Sequence, residues 1–587
     1  MSKEKRIKKE LITEASKHPE KYFPVETLKD MGFRRYKCSK CGRYFWSTKE
    51  RKICGDTNCI GGYKFINDTP AERKLEFNEV YKEFRKFMEK RGYKHIERFP
   101  IVARWRDDLD FNIASIIGFQ PFVTKGIVPP PAKIGILAQN CLRFGDIDNV
   151  GYSGRHGTNF VMIGQVAFTP PNEYDQSKYV KDLINWFVKG MEIPLDEIQI
   201  HEDAWLGGGD CGPSMEFFSR GLELANQVYM WFDMSDASSI KDLKELNLKV
   251  LDMGMGLERC CWFSKGSLNQ YEANMPLVCN YLFEKTNLKP NWDLYHKFLP
   301  YSGLLNLDEV EDIDEVWKDI SNKIGIDYKQ LRETVEPLAG IYSIADHSRT
   351  LLYALTDGAL PSNVKGGYNL RLVLRRALDF IYKFNWDINL FDVIALQAEE
   401  VKGLYPEVVE ELEGIKKIIE FEEEKYKEHK IKSQNKIQNI VKKDKKLTEE
   451  DFVKLYISDG ITPNEIEQEF KKVNIDIKVP SNFFNLVSNY FEKDKVKSKK
   501  EKKDLFYDYV KDLKPTEKVF YEDPDLAELK DFKVLKEFEI NNKKYLVLDK
   551  TIFYPEMGGQ INDVGYIGNY KIKNVFNIEG VIVHEVE

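Results

Sequence analysis

The sequence predicts an α+β protein that begins with an antiparallel sheet flanked by helices, continues with a helical region and ends with a second β-rich segment. Three observations support this order. Two strand-like apolar segments flank a long polar loop within residues 138–168, which predicts a hairpin. From about residue 290 to residue 510 the pattern is helical and includes a long charged helix over residues 422–446. From Glu517 onward, short β-patterned runs follow one another.

The length of 587 residues is too great for one hydrophobic core and predicts several domains. A hydrophobic content of 42% with 31% charged residues is typical of a soluble globular protein, and no apolar run is long enough to span a bilayer. The charged N-terminus is unlike a secretory signal and favours a cytoplasmic location. The net charge of −7 excludes nucleic-acid binding through bulk charge, so local basic faces must supply it. The predicted regions are 1–70, 71–285, 286–510 and 511–587.

Four of the nine cysteines lie close together, at Cys38, Cys41, Cys54 and Cys59. Their spacing, C-x2-C-x12-C-x4-C with turn residues inside it, is that of a zinc ribbon in which four thiolates form a closed tetrahedral site. The alternative is disulfide pairing, which a cytosolic chain disfavours. The other five cysteines have no such spacing and are expected in the core or in pocket walls.

Residues 71–100 predict a long helix followed by a strand that ends at Pro100. Gly92 ends the helix, and the segment HIERFP follows it. The apolar residues at helical spacing are Phe77, Val80, Tyr81, Phe84, Phe87 and Met88.

The predicted hairpin of residues 138–168 carries two candidate binding residues. Arg143 stands where the first strand gives way to the loop, so its planar guanidinium can bind a phosphate through two hydrogen bonds. Phe160 on the return strand offers an aromatic face to a purine. The alternative is a surface hairpin with an exposed arginine.

The segment LDMGMGLERCCW at residues 251–262 predicts a strand-to-helix turn. Asp252 closes the extended run, and Gly254 and Gly256 free the backbone of side chains. Arg259 falls in the first turn of the following helix, where backbone N–H groups and the helix dipole favour an anion. Such a turn can hold a phosphate next to an ammonium group, although a glycine turn with a structural Arg–Glu pair is the commoner explanation.

The hairpin and the turn together resemble motifs 2 and 3 of the class II aminoacyl-tRNA synthetases, in the form found in the alanyl-tRNA synthetase family. The matches are CLR…DIDNVG…RH in the hairpin and DMGMGLER in the turn, and residues 71–100 fit motif 1. The resemblance implies a class II catalytic sheet over residues 71–285 that binds ATP, with Arg143 on the α-phosphate and Arg259 on the γ-phosphate. Archaeal and eukaryotic-type members carry a similar N-terminal cysteine segment, which implies a structural zinc.

Residues 203–218 and 222–232 look like the amino-acid-binding region of this family. The resemblance gives Asp252 the ammonium group of alanine, while an aromatic ring and a β-branched residue wall a pocket that suits a methyl group. The residues expected to contact the amino acid are Trp205, Asn226, Val228, Asp252 and Gly254.

Two carboxylates, Glu216 and Glu223, are candidates for holding Mg²⁺ near the triphosphate. The alternative is that either carboxylate orients Arg143 or Arg259. The family commonly has an acidic residue after the aromatic residue of the return strand, whereas Val161 stands there in this chain. A contact to the adenine amino group is therefore expected from the backbone.

Residues 344–380 resemble the part of the family that reads the tRNA acceptor stem. The resemblance implies that Asn363, in a Pro-Ser-Asn turn, reads a G·U pair together with an aspartate of a later LYD-type segment. Here Ile457 occupies the aspartate position and the nearest acid is Asp459. The segment 365–383 adds basic residues suited to phosphates, Arg371 and Arg375 among them, although such charge runs are usually solvated helix faces.

Residues 550–568 resemble the opening of the family's editing region, a β-barrel that precedes a zinc-dependent deacylase. His584 is the only histidine after residue 549, so the deacylase is not expected in this polypeptide. The alternatives are a cut chain or a natural split in which a second chain supplies the remainder. A partial barrel over residues 511–587 is expected to leave apolar residues uncovered. Examples are Phe553, Val564 and Val575.

The resemblance thus implies an alanine–tRNA ligase that uses ATP, Mg²⁺ and L-alanine and charges tRNA(Ala), with Zn²⁺ in its N-terminal ribbon. Positioning and charge stabilisation perform the reaction, so no protein nucleophile is expected. The alternatives are a synthetase paralogue that serves another acceptor and a non-catalytic tRNA-binding module.

Overall fold

The structure, a computed structural model, forms two units. The first comprises Met1–Ile101, Asn112–Thr356 and Leu372–Asn485, and the second Val102–Phe111, Asp357–Arg371 and Leu486–Glu587. The described residues are 3–106, 108–235, 237–302, 304–305, 313–362, 365–442, 447–459, 461–475, 477, 479–480, 483, 486–487, 490, 505–521, 523, 526–555 and 562–587.

A nine-stranded sheet organises the first unit. All neighbouring strands are antiparallel except the β3–β4 pair, and their order across the sheet is β1-β2-β6-β7-β8-β9-β5-β4-β3. The large antiparallel sheet predicted from the sequence is confirmed. Its strands are β1 Arg34–Lys37, β2 Tyr44–Ser47, β3 Lys94–His95, β4 Ile134–Leu142, β5 Asn159–Thr169, β6 Gln199–Gly207, β7 Asp210–Ser219, β8 Leu222–Asp233 and β9 Lys244–Gly256.

The predicted hairpin is the pair β4 and β5. Leu142 lies opposite Asn159, and Cys141 lies opposite Phe160. The strand ends therefore fall where the switch from apolar to polar residues predicts them, because both strands are buried along most of their length.

The two strands of the cysteine-rich segment belong to the same sheet. Phe45 and Trp46 of β2 pair with His201 and Ile200 of β6, and both aromatic side chains are buried. An apolar strand of this kind needs a neighbour to satisfy its backbone and cover its rings. The sequence predicts a domain boundary at residue 70, and the sheet contains strands from both sides of it. The predicted domain limits stay a prediction.

Nine helices precede the helical region among the described residues. The predicted helix of the first motif is α5, whose buried side chains recur at helical spacing and whose first turn is closed by a capping box between Glu76 and Glu79. The strand expected to reach Pro100 is shorter than predicted and covers only Lys94–His95. The helices are α1 Lys3–Lys17, α2 Pro19–Tyr22, α3 Val25–Asp30, α4 Thr57–Ile60, α5 Phe77–Glu89, α6 Gln176–Asn185, α7 Leu257–Lys265, α8 Gln270–Asn274 and α9 Pro276–Thr286.

The helical region predicted after residue 286 is confirmed. Its long charged helix runs to Lys442, and residues 443–446 of the predicted span lie outside the described residues. None of the described helices is both long enough and apolar enough to cross a membrane. The helices are α10 Trp292–Ser302, α11 Ile313–Ile324, α12 Tyr328–Thr356, α13 Lys365–Lys383, α14 Leu390–Val401, α15 Glu407–Glu410, α16 Leu412–Lys442, α17 Glu449–Asp459 and α18 Pro463–Lys472.

The second unit contains a five-stranded antiparallel sheet in the order β11-β12-β16-β15-β14, and β10 pairs with β13 beside it. The run KVFYED was predicted to be a strand, but only its first residue joins β10, because residues 519–521 turn into a 3-10 helix. The strands are β10 Glu517–Lys518, β11 Val534–Ile540, β12 Lys543–Leu548, β13 Lys550–Thr551, β14 Tyr566–Ile567, β15 Tyr570–Ile578 and β16 Val581–Val586.

Apolar clusters cover this sheet more completely than the sequence predicts. Val575 is fully buried among side chains of β12, β15 and β16, and Phe553 packs against the same cluster. The expectation of an uncovered face is therefore wrong for these two residues, since neighbouring strands supply the apolar partners. Val564 is 75% exposed, as predicted.

Candidate active site

One cavity of about 400 Å³ in the first unit brings most of the predicted binding residues together. Strands β5, β8 and β9 and the start of α7 supply its walls, so the antiparallel sheet itself positions the side chains. Glu216 lies in an adjoining cavity that shares Arg143, Glu223 and Arg259 with the first. The predicted residues in the first cavity are Arg143, Phe160, Trp205, Glu223, Asn226, Val228, Asp252, Gly254 and Arg259.

Asp252 is the buried carboxylate of this cavity. Strand β9 carries it between Val166 of β5 and Val228 of β8, and only 5% of the residue is exposed. The Ser115 hydroxyl donates to Asp252 Oδ1 at 3.1 Å. Burial raises the pKa of Asp252 to about 7, so the cavity favours a cation beside this carboxylate. The sequence placed the end of the strand at Asp252, but β9 continues to Gly256 because β5 pairs with it as far as Gly256 and β8 as far as Met255.

Trp205, Asn226 and Val228, which were predicted to contact an amino acid, line the same cavity. Asn226 Oδ1 is buried without a hydrogen-bond partner among the described residues, so an acceptor is available to a bound donor. The Trp205 ring lies against Gly207, where a Cβ atom would approach ring atoms to 2.5 Å. Gly254 is constrained in the same way, because its Cβ would lie 2.8 Å from Met162 Sδ. Neither glycine position therefore has room for a Cβ atom unless the neighbouring side chain shifts.

Arg143 lies at the exposed side of the cavity, directly after β4. Its Nε and Nη2 donate to the carbonyl oxygen of Ile113 at 2.9 and 2.7 Å. The guanidinium carbon is 4.7 Å from the centre of the Phe160 ring. These contacts orient the guanidinium and hold it beside the aromatic ring that was predicted to contact a purine.

Arg259 lies in the first turn of α7, as the sequence predicts. Its Nη1 donates to the Glu223 carbonyl oxygen at 3.0 Å and to the Glu223 carboxylate at 2.9 Å. Glu223 therefore orients Arg259, which is one of the two roles that the sequence left open for it.

The sequence missed Glu258, which lines the cavity next to Arg259. Both carboxylate oxygens accept from the Val161 N–H at 3.0 Å, so that N–H is engaged within the protein. Burial raises the pKa of Glu258 to about 7. The sequence feature that could have identified Glu258 is a carboxylate beside Arg259 in a helix whose other residues are mostly apolar. His156, the histidine of the RH pair in the hairpin motif, has no role predicted from the sequence, and its Nδ1 lies 2.7 Å from the Ser153 hydroxyl.

Glu216 lies near Arg43, which is neither of the two arginines, Arg143 and Arg259, that it was predicted to orient. Arg43 Nη1 lies 3.8 Å from Glu216 Oε2. Burial raises the pKa of Glu216 well above its usual value, and the carboxylates of Glu223 and Asp203 raise it further. Carboxylates that repel one another in this way fit a divalent cation, whose charge relieves the repulsion.

The four predicted zinc ligands lie together, with their sulfur atoms all within 4.8 Å of one another. The Cys38–Cys59 and Cys41–Cys54 sulfur separations are both 3.8 Å, too long for disulfides. A tetrahedron with Zn–S bonds of about 2.3 Å has edges of about 3.8 Å, so the geometry fits a bound zinc ion. Burial opposes ionisation of Cys38, but backbone N–H groups, including those of Cys41 and Cys54, outweigh it and lower its pKa to about 6.

We expect the purified protein to contain one equivalent of zinc, measured by elemental analysis, because four thiolates close the site. Chelation should unfold the ribbon around β1 and β2 while the remaining strands of the sheet stay folded, as hydrogen exchange can show. Cys41→Ser should lower the zinc content, and Cys141→Ser, outside the cluster, should not. A zinc-free preparation, or a Cys38–Cys59 disulfide in reducing buffer, would contradict the assignment.

The residues predicted to read tRNA are distributed over both units. Asn363 lies outside the described residues, and Arg371 and Arg375 are partly exposed positions of α13. Arg371 belongs to the second unit and Arg375 to the first. Asp459 is the last residue of α17.

The basic face predicted on α13 is smaller than expected. Arg376 is buried and lies 2.8 Å from His347 Nε2, and its Nη2 donates to the Val150 carbonyl at 3.1 Å. His347 Nδ1 lies 3.0 Å from an Asp346 oxygen, and Asp346 accepts from the Thr158 N–H at 3.0 Å. Arg376 is therefore part of a buried polar network. The last basic residue of the helix, Lys383, forms an ion pair with Glu336 at 2.6 Å.

Comparison with known proteins places this arrangement in a family. The family described as tRNA synthetases class II (A) matches residues 79–587. An alanine–tRNA ligase of Methanocella arvoryzae is 40% identical over 100% of this chain and 65% of its own length. One from Ignicoccus hospitalis is 36% identical over 97% of this chain and 64% of its own length.

The chain thus spans slightly less than two thirds of these curated relatives. A solved pyrrolysyl-tRNA synthetase from Desulfitobacterium hafniense is 13% identical, covers 34% of this chain and 73% of its own, and has a TM-score of 0.24. Because the family match extends over most of the sequence and includes all strands of the cavity, the chain belongs to the class II (A) tRNA synthetases.

Proposed function

We propose that the protein activates L-alanine with ATP and transfers the alanyl group to the 3′ end of tRNA(Ala). The observation that carries this proposal is the single cavity in which a buried carboxylate, a small pocket and two oriented arginines meet. The names of the relatives, both alanine–tRNA ligases, support the choice of amino acid and acceptor.

The amino acid is proposed to bind at the closed end of the cavity. Asp252 pairs with its ammonium group, because a buried carboxylate gains most from a positive partner. Trp205 and Val228 limit the space for the side chain, and Asn226 Oδ1 accepts a hydrogen bond. A methyl side chain fits such a pocket, although shape alone rejects glycine or serine weakly.

ATP is proposed to lie along the open side of the cavity. Phe160 contacts the adenine, Arg143 the α-phosphate and Arg259 the γ-phosphate. The carboxylates of Glu216 and Glu223 would hold Mg²⁺, which neutralises phosphate charge when it is bound. The alanine carboxylate then attacks the α-phosphorus, and the enzyme contributes orientation and charge stabilisation.

We propose that tRNA(Ala) is the acceptor and that Asn363, Arg371 and Arg375 contact its acceptor stem, with Asp459 replacing the acid missing at Ile457. The cytoplasmic location stays a prediction.

The test is alanine-dependent exchange of labelled pyrophosphate into ATP, followed by charging of purified tRNA(Ala). Exchange and charging together support the proposal. Exchange without charging would indicate a paralogue that serves another acceptor, and absence of exchange in a folded, zinc-loaded protein would contradict the proposal. Serine and glycine serve as matched control substrates.

We expect Asn363→Ala to weaken discrimination for a G·U-containing acceptor stem by roughly 1–3 kcal/mol, because an amide aimed at a base edge carries that much specificity. If Asp459 is its partner, Asp459→Ala should cause the same loss and the double variant should be less than additive. Charging of tRNA(Ala) with G·U or G·C at that position measures the effect. Additive losses would show that the two residues act separately.

A further inference from the structure

The adjoining cavity of about 540 Å³ lies between the zinc ribbon and the ends of β6 and β7. Its walls include the ribbon residues Cys41, Arg43 and Cys59, and it shares Arg143 and Arg259 with the cavity described above. The ribbon is therefore part of the wall of the same active-site region, and no motif of the sequence assigns it a role there.

Arg43 is the ribbon residue in this cavity whose side chain is best suited to bind an anionic ligand. It follows the first pair of zinc ligands, and its carbonyl oxygen accepts from the Cys38 N–H at 2.9 Å, which closes the turn around the sulfur atoms. Tyr44 then begins β2, whose pairing with β6 fixes the direction of the chain. The zinc turn and the sheet together determine where the Arg43 side chain lies.

The Arg43 guanidinium is near acids without being hydrogen-bonded to them. Nη1 lies 3.8 Å from Glu216 Oε2 and 3.9 Å from Asp203 Oδ2, and the side chain is 48% exposed. Lys8 Nζ lies 3.2 Å from the same Asp203 oxygen. Two cations from the N-terminal segment thus line the cavity, and the half-exposed guanidinium of Arg43 is able to donate to a ligand that has oxygen atoms.

A buried histidine gives an independent indication of a ligand. His201 is 1% exposed and lines the cavity, and neither ring nitrogen has a hydrogen-bond partner among the described residues. Its ring stacks on Phe218 with centroids 4.3 Å apart, which fixes its orientation. A buried polar ring of this kind normally has a partner, so a bound group or water is expected to supply it.

We propose that Arg43 is the ribbon's contribution to holding pyrophosphate, the leaving group of adenylate formation, in this cavity. This inference rests on the function proposed above. When the alanine carboxylate oxygen bonds to the α-phosphorus, the bond between that phosphorus and the bridging oxygen breaks, and the electron pair leaves with pyrophosphate. Arg43 and Arg259 then face the charge that this group gains.

The phosphate oxygens at the tRNA 3′ end are an alternative ligand, because they accept hydrogen bonds from the same guanidinium groups. Pyrophosphate is favoured because the cavity includes Arg259 and Glu223, the pair at the proposed γ-phosphate position. A phosphodiester carries a single charge, whereas pyrophosphate carries several and suits a site with several cations and carboxylates for Mg²⁺.

The experiment measures binding of inorganic pyrophosphate to the zinc-loaded full chain by titration calorimetry in MgCl₂. Arg43→Gln is expected to raise the Kd for pyrophosphate about tenfold or more, because a charge-assisted contact is lost. Arg43→Lys should recover part of the affinity. Arg34→Gln, an exposed arginine of β1 outside this cavity, is the matched control and should leave the Kd unchanged.

Two further readouts separate a ligand contact from a structural effect. Zinc content and the Kd for alanine should stay within twofold of the wild-type values in Arg43→Gln. Transfer of alanine from preformed adenylate to tRNA should also be unchanged. An unaltered pyrophosphate Kd overturns the proposal, as does a loss confined to the transfer step, which would assign the site to RNA phosphate. Arg43-dependent pyrophosphate binding without alanine-dependent exchange would overturn the proposed function, and with it the role of pyrophosphate as the leaving group, but would leave Arg43 as a pyrophosphate contact.

Discussion

Replacement of Arg259 by alanine is expected to lower alanine-dependent pyrophosphate exchange by about 10²-fold or more, on the order of 3 kcal/mol. Arg259 is proposed to meet charge on the γ-phosphate, and its Nη1 is held by the carbonyl and carboxylate of Glu223. Its removal also leaves the Glu223 carboxylate near the phosphates without its arginine partner, which adds repulsion to the lost attraction. Arg143→Ala should cause a loss of similar size through the α-phosphate.

The controls separate phosphate binding from folding. Arg85→Ala removes an exposed arginine of α5 that pairs with Glu89, outside the cavity, and should leave exchange unchanged. Glu223→Gln keeps the hydrogen bond to Arg259 but removes the charge. It should lower pyrophosphate exchange less than Arg259→Ala does if the main role of Glu223 is to orient Arg259. Near-normal exchange in both Arg259→Ala and Arg143→Ala would remove these arginines from the mechanism.

The second large effect is expected from Asp252→Asn, which keeps the shape of the side chain and removes its charge. The KM for alanine should rise on the order of 10- to 100-fold, because a charge-assisted hydrogen bond to an ammonium group is worth about 1.5–3 kcal/mol. The KM for ATP should change much less. Equal changes in both constants would indicate a structural role for Asp252.

The same carboxylate predicts a pH dependence with a definite sign. Burial raises the pKa of Asp252 to about 7, and only the ionised form attracts the alanine ammonium group. Affinity for alanine should therefore be full above pH 7 and fall about tenfold per pH unit well below it. Asp252→Asn should abolish this dependence. Glu258→Gln, which removes the other carboxyl with a pKa of about 7 in the cavity, should preserve it.

Local patterns were sufficient to predict the hairpin, the helix α5 and the position of Arg259. Each of these features is determined by residues that are close together in sequence, through apolar periodicity or through the change from apolar to polar residues. The same holds for the four cysteines, because their spacing alone specifies which side chains meet.

Other parts of the site depend on contacts between distant segments. Arg43 reaches Glu216 only because β2 pairs with β6, and Glu258 reaches Val161 only because α7 follows the strand next to β5. Arg376 sits in a charge run that a single sequence cannot distinguish from a solvated face. Its burial depends on His347 and the Val150 carbonyl, which are far from it in sequence.

The order of the nine strands also determines which strands form the two edges of the sheet, where a strand of another molecule would have to add. The outermost strands, β1 and β3, each leave one row of backbone groups without a neighbour in the sheet. One edge reads Arg-Arg-Tyr-Lys, and the other is only two residues long. Charge and shortness are the features that discourage an incoming strand from another molecule. An incoming strand would therefore meet a basic edge at β1 and a two-residue strand at β3, and neither offers a long apolar template to a growing fibril.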